Sequence, residues 1–221
     1  MAPAVRAEAG ALTARGERTR NRLVAAGEEV FGLRGYHDAS IAEITQTAHV
    51  AQGTFYLYFD GKRELMRAVV EERGHELRET LARATAGVTG RVAKEQAGFA
   101  AFFTWMARHR GLYLIVRQAE HVDGLVYRAW YRRLADGYAQ ALRGAIEEGE
   151  IAPVDDVETL AYALMGIGDF VGLRWLVIEK RRAVPPRALA TIGQLVQRAL
   201  SPDARELDAT SVPRVPAEGR V

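Results

Sequence analysis

The chain of 221 residues contains no cysteine. Disulfide bonds, thiolate metal sites and cysteine nucleophiles are therefore excluded together. An excess of charge of one sign is also missing, because 30 Lys and Arg stand against 28 Asp and Glu and leave a formal net charge of +2. A general electrostatic attraction to nucleic acid is therefore not expected, and any DNA contact has to come from a local arrangement of residues.

Long apolar runs and the motifs of catalytic sites are missing as well. The apolar stretches carry Gly, Asp or Arg before the ~18 residues of a membrane span are reached, and residues 1–16 lack the pattern of a signal peptide. The five histidines are scattered without an HExxH motif, and neither GxSxG nor GxxxxGK(S/T) occurs. We expect a cytoplasmic protein with no membrane span, no catalytic residues, no metal site and no cofactor.

Apolar residues recur at three- and four-residue intervals over most of the chain, and no convincing alternating strand is found. This pattern predicts an all-α fold. Ser40, followed by Glu43, has the spacing of a capping box, and Asp60 is the predicted N-cap of the fourth helix. The predicted helices span about 17–34, 40–48, 51–59, 61–84, 91–109, 113–120, 124–148, 157–181 and 187–200.

Gly87 to Gly90 mark the predicted boundary between a small N-terminal unit, residues 16–86, and a larger helical unit, residues 87–201. Residues 1–15 are rich in Ala and predict a loosely held, disordered arm. Residues 202–221 are polar with several prolines and predict a disordered tail.

The segment SIAEITQTAHVAQGTFYLYF, residues 40–59, has the pattern of a helix-turn-helix. Its apolar residues are spaced to point inward and to lock two short helices at a steep angle. These inward-facing residues are Ile41, Ile44, Ala48, Val50, Phe55 and Phe59. The second helix then presents a face without Lys or Arg, made of Gln52, Gly53, Thr54, Tyr56 and Tyr58. A helix presented in this way fits the major groove of DNA.

Residues from about Arg18 to Leu65 resemble the DNA-binding domain of the TetR family of repressors. The resemblance rests on motifs at fixed spacing, namely Phe31, Gly35-Tyr36, IAEI at 41–44, GTFYLYF at 53–59, Lys62 and Glu64-Leu65. Two positions depart from the family pattern. Thr45 stands where Ala is usual, and His49 stands in the turn where a left-handed Gly is usual, a conformation that His tolerates better than most residues.

The resemblance implies a DNA-binding role for residues 16–86. Base edges would be approached by Gln52, Gly53 and Tyr56, and Gln52 is the residue best able to select an adenine. Phosphates would be contacted by Arg18, Arg20, Ser40, Thr54, Tyr58 and Lys62. Phosphate contacts set the register, and groove contacts choose the sequence. The resemblance also implies a homodimer on a palindromic, double-stranded DNA operator.

The second half of the chain has an excess of aromatic residues on helices that must pack together. One interpretation is an apolar cavity for a flat or acyl-chain ligand, and the other is an ordinary core. The candidate ligand contacts are Trp105, Tyr113, Arg117, His121, Tyr127, Tyr131, Asp169 and Trp175, with Arg174 as a further polar anchor. The stretches RQAEHVDGLVYRAWYRRLADGY and LMGIGDFVGLRW resemble regulators of this family with lipophilic or acyl-CoA-like effectors.

Gly166, Gly168 and Gly172 lie in one predicted helix, where each costs ~1 kcal/mol relative to Ala. By resemblance to the family, the last two helices pair with their twofold mates as a dimer interface, and the glycines allow a close approach there; alternatively, they make room for a ligand. The sequence thus predicts a dimeric repressor, released from its operator by a small hydrophobic effector. The alternative is an all-helical small-molecule-binding protein or enzyme without DNA function.

Overall fold

A computed structural model describes residues 13–201 of the chain. Within this range no strand occurs, and the all-α prediction is confirmed. The α-helices are α1 (Ala14–Arg34), α2 (Ile41–Thr47), α3 (Gln52–Phe55), α4 (Lys62–Thr85), α5 (Arg91–Arg108), α6 (Gly111–Val122), α7 (Gly124–Glu147), α8 (Val157–Gly172) and α9 (Pro186–Ala199). Of the arm predicted as disordered over residues 1–15, residues 1–12 lie outside the described residues, as does the predicted tail, residues 202–221. The prediction is wrong for the end of the arm, where Thr13 caps α1 and Ala14 and Arg15 are helical.

The N-terminal caps of α1 and α2 are made by hydroxyl side chains. Thr13 accepts a hydrogen bond from the amide of Gly16 at 3.2 Å, so α1 begins three residues earlier than the predicted 17. Ser40 accepts a hydrogen bond from the amide of Glu43 at 3.1 Å, as predicted. The side chain of Glu43 does not complete a capping box, because its carboxylate pairs with the guanidinium of Arg34 at 3.1 Å.

Two predictions about the segment between α3 and α4 are wrong. The helix expected over 51–59 ends at Phe55, and residues 56–58 continue as turns. Asp60 does not cap α4, which follows Gly61 without a side-chain cap. The amide of Asp60 instead donates a hydrogen bond to the carboxylate of Glu64 at 2.5 Å. In a helix N-cap, a side chain before the helix accepts a hydrogen bond from a helix amide. Here a side chain of the helix accepts one from an amide that precedes it.

The helix predicted over 157–181 is divided. It is α-helical to Gly172 and then forms a π-helix over Leu173–Ile178, which is followed by Lys180 with a φ of +50°. By length and composition, Val157–Ile178 could cross a membrane, with a mean hydropathy of 1.4, which corrects the expectation that no stretch is apolar enough. A third of its most apolar window is buried, and α8 packs against α7 and α5. We therefore treat it as a packed helix of the larger unit.

A continuous hydrophobic core runs from α1 to α9 and joins both predicted units. The shared element is α4, which packs against α1 as well as against α5, α6 and α7. Its first half buries Leu65 and its second half buries Leu77. The turn after α4 contains Gly87 and Gly90, with φ values of +73° and +82°. The boundary at residues 86 and 87 stays a prediction, and α4 belongs to the packing on both sides of it.

The helices α1 and α6 cross at two glycines. A Cβ on Gly32 would lie 2.7 Å from the Cα of Gly111, and a Cβ on Gly111 would lie 2.8 Å from the Cα of Gly32. Because the obstacle is backbone, a side chain at either position would push the helices apart. Beside the crossing, the amide of Tyr36 donates a hydrogen bond to the side-chain oxygen of Gln118 at 2.6 Å. The end of α1 is therefore held closely to α6.

Candidate functional site

The helices α2 and α3 are held together by buried apolar side chains. Ile44 and Phe55 are fully buried, and the rings of Phe55 and Phe59 lie 5.7 Å apart. The predicted inward-facing residues are all buried or packed partly buried against the core; they are Ile41, Ile44, Ala48, Val50, Phe55 and Phe59. The interior of the predicted helix-turn-helix is thus confirmed, and α3 rests on a rigid support.

The turn between α2 and α3 accommodates both departures from the family pattern. His49 has a φ of +52°, the left-handed conformation expected at this position. Thr45 is buried, and its hydroxyl lies 2.9 Å from the carbonyl oxygen of Ile41 and 3.0 Å from that of Ala42. The hydroxyl therefore has a partner within its own helix, and a Thr fits here without an unpaired polar group.

Arg22 of α1 is a positioning residue that sequence reasoning missed. Its Nε donates a hydrogen bond to the carbonyl of Ala48 at 3.0 Å, and its Nη2 donates one to the carbonyl of His49 at 2.6 Å. Carbonyls at the end of a helix have no partner within the helix. Arg22 supplies that partner and ties the turn to α1. The contact with Ala48 joins positions 26 residues apart, so local patterns carry no signal of it.

The outer face of α3 is exposed, as predicted. Gln52 and Gly53 are exposed, and Tyr56 has 54% of its surface exposed. A Cβ on Gly53 would meet no atom within 4 Å, so the chain itself does not require a glycine there. The missing side chain leaves room for a molecule outside the chain to approach the backbone. Thr54 and Tyr58 are half-buried at the edge of this face.

The two predicted phosphate contacts in α1, Arg18 and Arg20, differ in whether another residue already binds their side chains. Arg18 is exposed at the start of α1. Arg20 forms an ion pair with Glu72 of α4, and its guanidinium lies over the ring of Phe59, 5.5 Å from the centroid. Arg18 is therefore available as it stands, whereas Arg20 would have to leave a carboxylate to reach a phosphate.

Lys62 occupies a different place from the one that the family resemblance implied. Its Nζ donates hydrogen bonds to the carbonyls of Tyr36, His37 and Ala39 at 2.8, 3.1 and 2.6 Å. An ammonium group has three N–H donors, and here all three are used. In this structure Lys62 holds the loop between α1 and α2 rather than pointing outward, and we do not retain it among the candidate phosphate contacts.

A cavity of about 1020 Å³ lies among α4, α5, α6, α7 and α8. It lies at the upper end of the usual size of small-molecule sites, and its lining is largely apolar, as in such sites. Five candidate ligand residues line it, namely Tyr113, Arg117, Tyr127, Tyr131 and Asp169. Trp130 and Tyr138, which belong to the aromatic excess noted in the sequence, also line it, and the lining residues that sequence reasoning missed include Leu77, Phe99, Phe102 and Leu134. Part of the aromatic excess therefore surrounds this space, and part of it belongs to the core.

Three candidate ligand residues are not among the lining residues. Trp105 donates a hydrogen bond from Nε1 to the carboxylate of Glu76 at 3.1 Å. Trp175 is buried, with the guanidinium of Arg174 over its ring at 4.7 Å. His121 is exposed on α6. Trp105 and Trp175 belong to the core. The sequence could not separate them from cavity residues, because periodicity shows that a helix face is buried but not whether an empty space lies beside it.

Two of the three glycines of α8, Gly168 and Gly172, lie against aromatic rings of the same chain. A Cβ on Gly172 would lie 2.0 Å from the hydroxyl oxygen of Tyr113, and a Cβ on Gly168 would lie 3.5 Å from ring atoms of Phe99 and Phe102. Gly166 lines the cavity. Gly168 and Gly172 therefore make room for aromatic rings beside the cavity, and the explanation by a dimer interface stays a prediction.

The α6–α8 side of the cavity is rich in phenol groups. The hydroxyl of Tyr113 is buried and has no hydrogen-bond partner in the described range 13–201. Burial and the negative charge of Asp169 raise the pKa of Tyr113 and of Tyr131, so both phenols stay protonated. Burial also raises the pKa of Asp169, against the opposing effect of Arg117 at 4.0 Å. This side of the cavity therefore offers protonated phenol groups beside the ion pair of Arg117 and Asp169.

A second polar group lining the cavity is already satisfied. Arg91 and Glu95 form a buried ion pair, with Nε of Arg91 at 2.8 Å from the carboxylate. The hydroxyl of Tyr138 donates a hydrogen bond to the same carboxylate. Burial, and then the charge of Glu95, raises the pKa of Tyr138 well above its usual value. All three groups have partners, so this network closes part of the cavity without needing a ligand.

Asp123, at the junction of α6 and α7, connects the cavity helices to α4. Its buried carboxylate accepts hydrogen bonds from Arg63 at 3.2 Å and from Arg67 at 2.7 Å, and it caps α7 through the amide of Val126 at 3.4 Å. Burial would raise the pKa of Asp123, but hydrogen bonds from Arg67, the Val126 amide and Arg63 outweigh it and lower that pKa. The first turns of α4 are thereby fastened to the α6–α7 junction.

Residues 23–69 match the family model for bacterial regulatory proteins of the tetR family. Residues 23–69 thus form a DNA-binding domain of the tetR type. The matched residues run from α1 through α2 and α3 into α4, so they contain the whole exposed face of α3. The chain is thus a DNA-binding transcriptional regulator, and the helix-turn-helix is its DNA-binding element.

Some relatives of this chain match it well beyond residues 23–69. The fatty acid metabolism regulator protein of Bacillus subtilis is 23% identical over 164 residues, 72% of this chain and 84% of that protein. The regulator TtgR of Pseudomonas putida is 27% identical over 173 residues, 73% and 82% of the two proteins. The crystal structure of FadR from Bacillus subtilis in complex with stearoyl-CoA has a TM-score of 0.70 at 19% identity, covering 84% of this chain and 99% of that one. This structural likeness shows a shared fold.

Proposed function

We propose that this regulator is a homodimeric repressor of the TetR family, which a long-chain acyl ligand, with an acyl-CoA as the first candidate, releases from a palindromic operator. The observation that carries the ligand class is the cavity of about 1020 Å³, whose lining is mainly apolar. A long acyl chain needs such a space. The solved FadR in complex with stearoyl-CoA, which shares the fold, supports the same class.

On the DNA side, the outer face of α3 enters the major groove. Gln52, Gly53 and Tyr56 approach base edges, because they are the exposed residues of this face. Arg18, Ser40, Thr54 and Tyr58 contact phosphates around it, with Arg20 added if its ion pair with Glu72 opens. Direct base contacts of this kind select the operator sequence, and the phosphate contacts position the helix.

Ligand and operator compete because the cavity helices are fastened to α4. Asp123 joins the α6–α7 junction to Arg63 and Arg67 of α4, and the Gly32–Gly111 crossing holds α1 against α6. A ligand that displaces α6 or α7 therefore shifts the helix that follows α3. A coupling free energy of about 1–3 kcal/mol is typical for such competition.

The dimer forms through α8, the π-helix and α9. Apolar side chains remain exposed there, with 68% of the surface of Ile178 and 51% of that of Leu195 accessible. Two copies that bury these residues against each other around a twofold axis would present two α3 helices to one face of DNA. We place this regulator in the cytoplasm, without a membrane span and without enzymatic activity.

The test is binding of genomic DNA fragments to the purified full chain, with the strongest fragment then used in fluorescence anisotropy. We expect a dimer to bind a palindromic site, stearoyl-CoA to weaken binding, and coenzyme A alone to have no effect. Tyr56→Ala should abolish binding, and Leu125→Ala, which alters an exposed residue of α7, should not. A chain that binds stearoyl-CoA but selects no DNA would instead support an all-helical binding protein without DNA function.

A further inference from the structure

The cavity is lined by five basic residues, and two of them have no acidic partner within residues 13–201. Arg91 pairs with Glu95, Lys94 lies 3.8 Å from Glu150, and Arg117 lies 4.0 Å from Asp169. The two that remain are Arg78 of α4 and Arg133 of α7. Neither forms a hydrogen bond or an ion pair with another residue in the part of the chain that the structure describes.

The two unpaired guanidinium groups act on each other. Arg78 is partly buried, and burial, followed by the positive charge of Arg133, lowers the pKa of Arg78. No carboxylate of the described chain offsets this effect. A cation that is partly removed from water and faces a like charge is unfavourable unless an anion neutralises it. Arg133 is itself exposed, so this pair of positive charges is accessible to an anionic partner.

The place of this pair within the cavity is defined by Trp130. A Cβ on Gly74 of α4 would lie 3.2 Å from the Trp130 ring and 3.3 Å from an Nη of Arg78. Arg133 follows Trp130 by three residues and so lies on the same side of α7. The pair is electrostatically separate from the phenol group, because the pKa values of Tyr113 and Tyr131 respond to Asp169 and Arg117 instead.

We propose that Arg78 and Arg133 bind the anionic group of the effector, a phosphate or a carboxylate, at the α4–α7 side of the cavity. The planar guanidinium group matches both oxyanions with two parallel hydrogen bonds. The apolar chain of the ligand then extends along the aromatic lining from Trp130 toward the phenols of α6 and α7. This inference rests on the proposed acyl ligand and adds which residues recognise its charged end.

The experiment is calorimetric titration of the full chain with stearoyl-CoA, stearate and the uncharged octadecanol. In the variant Arg78→Gln/Arg133→Gln we expect affinity for one or both anions to fall about 10–100-fold, the loss typical of hydrogen bonds to charged groups, with octadecanol binding retained. A loss for both anions indicates that the pair accepts any oxyanion, and a loss for one alone identifies phosphate or carboxylate as the source. Arg78→Lys/Arg133→Lys keeps the charges and should retain part of the affinity.

The matched control is Arg83→Gln/Arg132→Gln, which removes two exposed arginines from the same helices outside the cavity lining. It should bind all three ligands as the unaltered chain does. Unchanged anion affinity in the Arg78/Arg133 variant, or an equal loss of octadecanol binding, would overturn the inference while the acyl-ligand proposal stands. If the unaltered chain binds none of the three ligands, both proposals are overturned.

Discussion

The helix-turn-helix and the ligand cavity differ in how far the chain itself satisfies their polar groups. In the former, the Thr45 hydroxyl, the Arg22 guanidinium and the Lys62 ammonium all reach backbone carbonyls. In the latter, the hydroxyl of Tyr113 lacks a partner in the described range, and Arg78 faces another cation. Since unpaired buried polar groups cost free energy, we expect the helix-turn-helix to be stable without a ligand and the cavity helices to be stabilised by one.

Among the variants that test this comparison, we expect Phe55→Ala to cause the largest loss of stability. The ring is fully buried between α2 and α3, so its removal should lower the free energy of unfolding by about 3–5 kcal/mol. Urea denaturation measures this loss. Leu57→Ala, which removes a side chain of the same segment with 71% of its surface exposed, should stay within about 0.5 kcal/mol of the unaltered chain. Similar losses in the two variants would show that α3 is not held by its buried face.

On the cavity side, Gly172→Ala tests the close approach of Tyr113. The added Cβ would lie 2.0 Å from the Tyr113 hydroxyl oxygen but 3.3 Å from Cζ, so the clash is with the hydroxyl. We expect Gly172→Ala to lose about 1–3 kcal/mol of unfolding free energy, as overpacking does. Tyr113→Phe alone should be neutral or stabilising, because it removes an unpaired buried hydroxyl.

The combined variant Tyr113→Phe/Gly172→Ala should recover most of the loss caused by Gly172→Ala. Thermal or urea unfolding of the four proteins forms a double-mutant cycle, which isolates the interaction between the two positions. Additive losses would contradict the comparison, since they would mean that the hydroxyl of Tyr113 is not pressed against α8.

The same difference explains which parts of the molecule could be predicted from the sequence. The helix-turn-helix is encoded locally: Ser40 caps α2, His49 turns the chain, and Phe55 and Phe59 lie one turn apart. Each of these signals lies within a few residues of the element that it specifies. The fold class followed from helical periodicity for the same reason.

The cavity could be predicted only in part, because it depends on which helices meet. Tyr113 and Asp169 were found from their residue types, but Trp105 and Trp175 have the same character and lie in the core. The π-helix after α8 was missed as well, since its α-like periodicity continues through the change of hydrogen-bond register. Arg78 carried no signal, because what distinguishes it is an absent partner, which only tertiary structure reveals.

A smaller effect is expected at Asp123, which fastens the two regions to each other. Asp123→Ala removes the N-cap of α7 and should lower the free energy of unfolding by about 1 kcal/mol. Asp123→Asn keeps a capping oxygen but removes the charge that Arg63 and Arg67 bind. It should therefore be more stable than Asp123→Ala, while stearoyl-CoA should weaken operator binding less than in the unaltered chain.

The pH dependence of stability separates the charge from the cap. Because the pKa of Asp123 is lowered in the folded chain, its charge stabilises the fold above the unfolded pKa of about 4. That contribution is lost as the pH falls through the lower, folded pKa. Urea unfolding should therefore show the unaltered chain above Asp123→Asn at neutral pH and the two converging below about pH 4. A constant gap would mean that the ion pairs with α4 contribute nothing.

The smallest effect concerns how the DNA-binding unit meets phosphates. Binding constants for the operator should fall with salt, and each phosphate contact adds about 0.9 to the slope of log K against log salt for duplex DNA. Arg18 is exposed, whereas Arg20 is paired with Glu72. Arg18→Gln should therefore lower the slope by about 0.9, and Arg20→Gln should change it much less. Anisotropy between about 50 and 200 mM salt resolves the difference. If Arg20→Gln lowers the slope as much as Arg18→Gln, the ion pair with Glu72 opens on DNA, and the DNA-binding unit is not complete before its partner arrives.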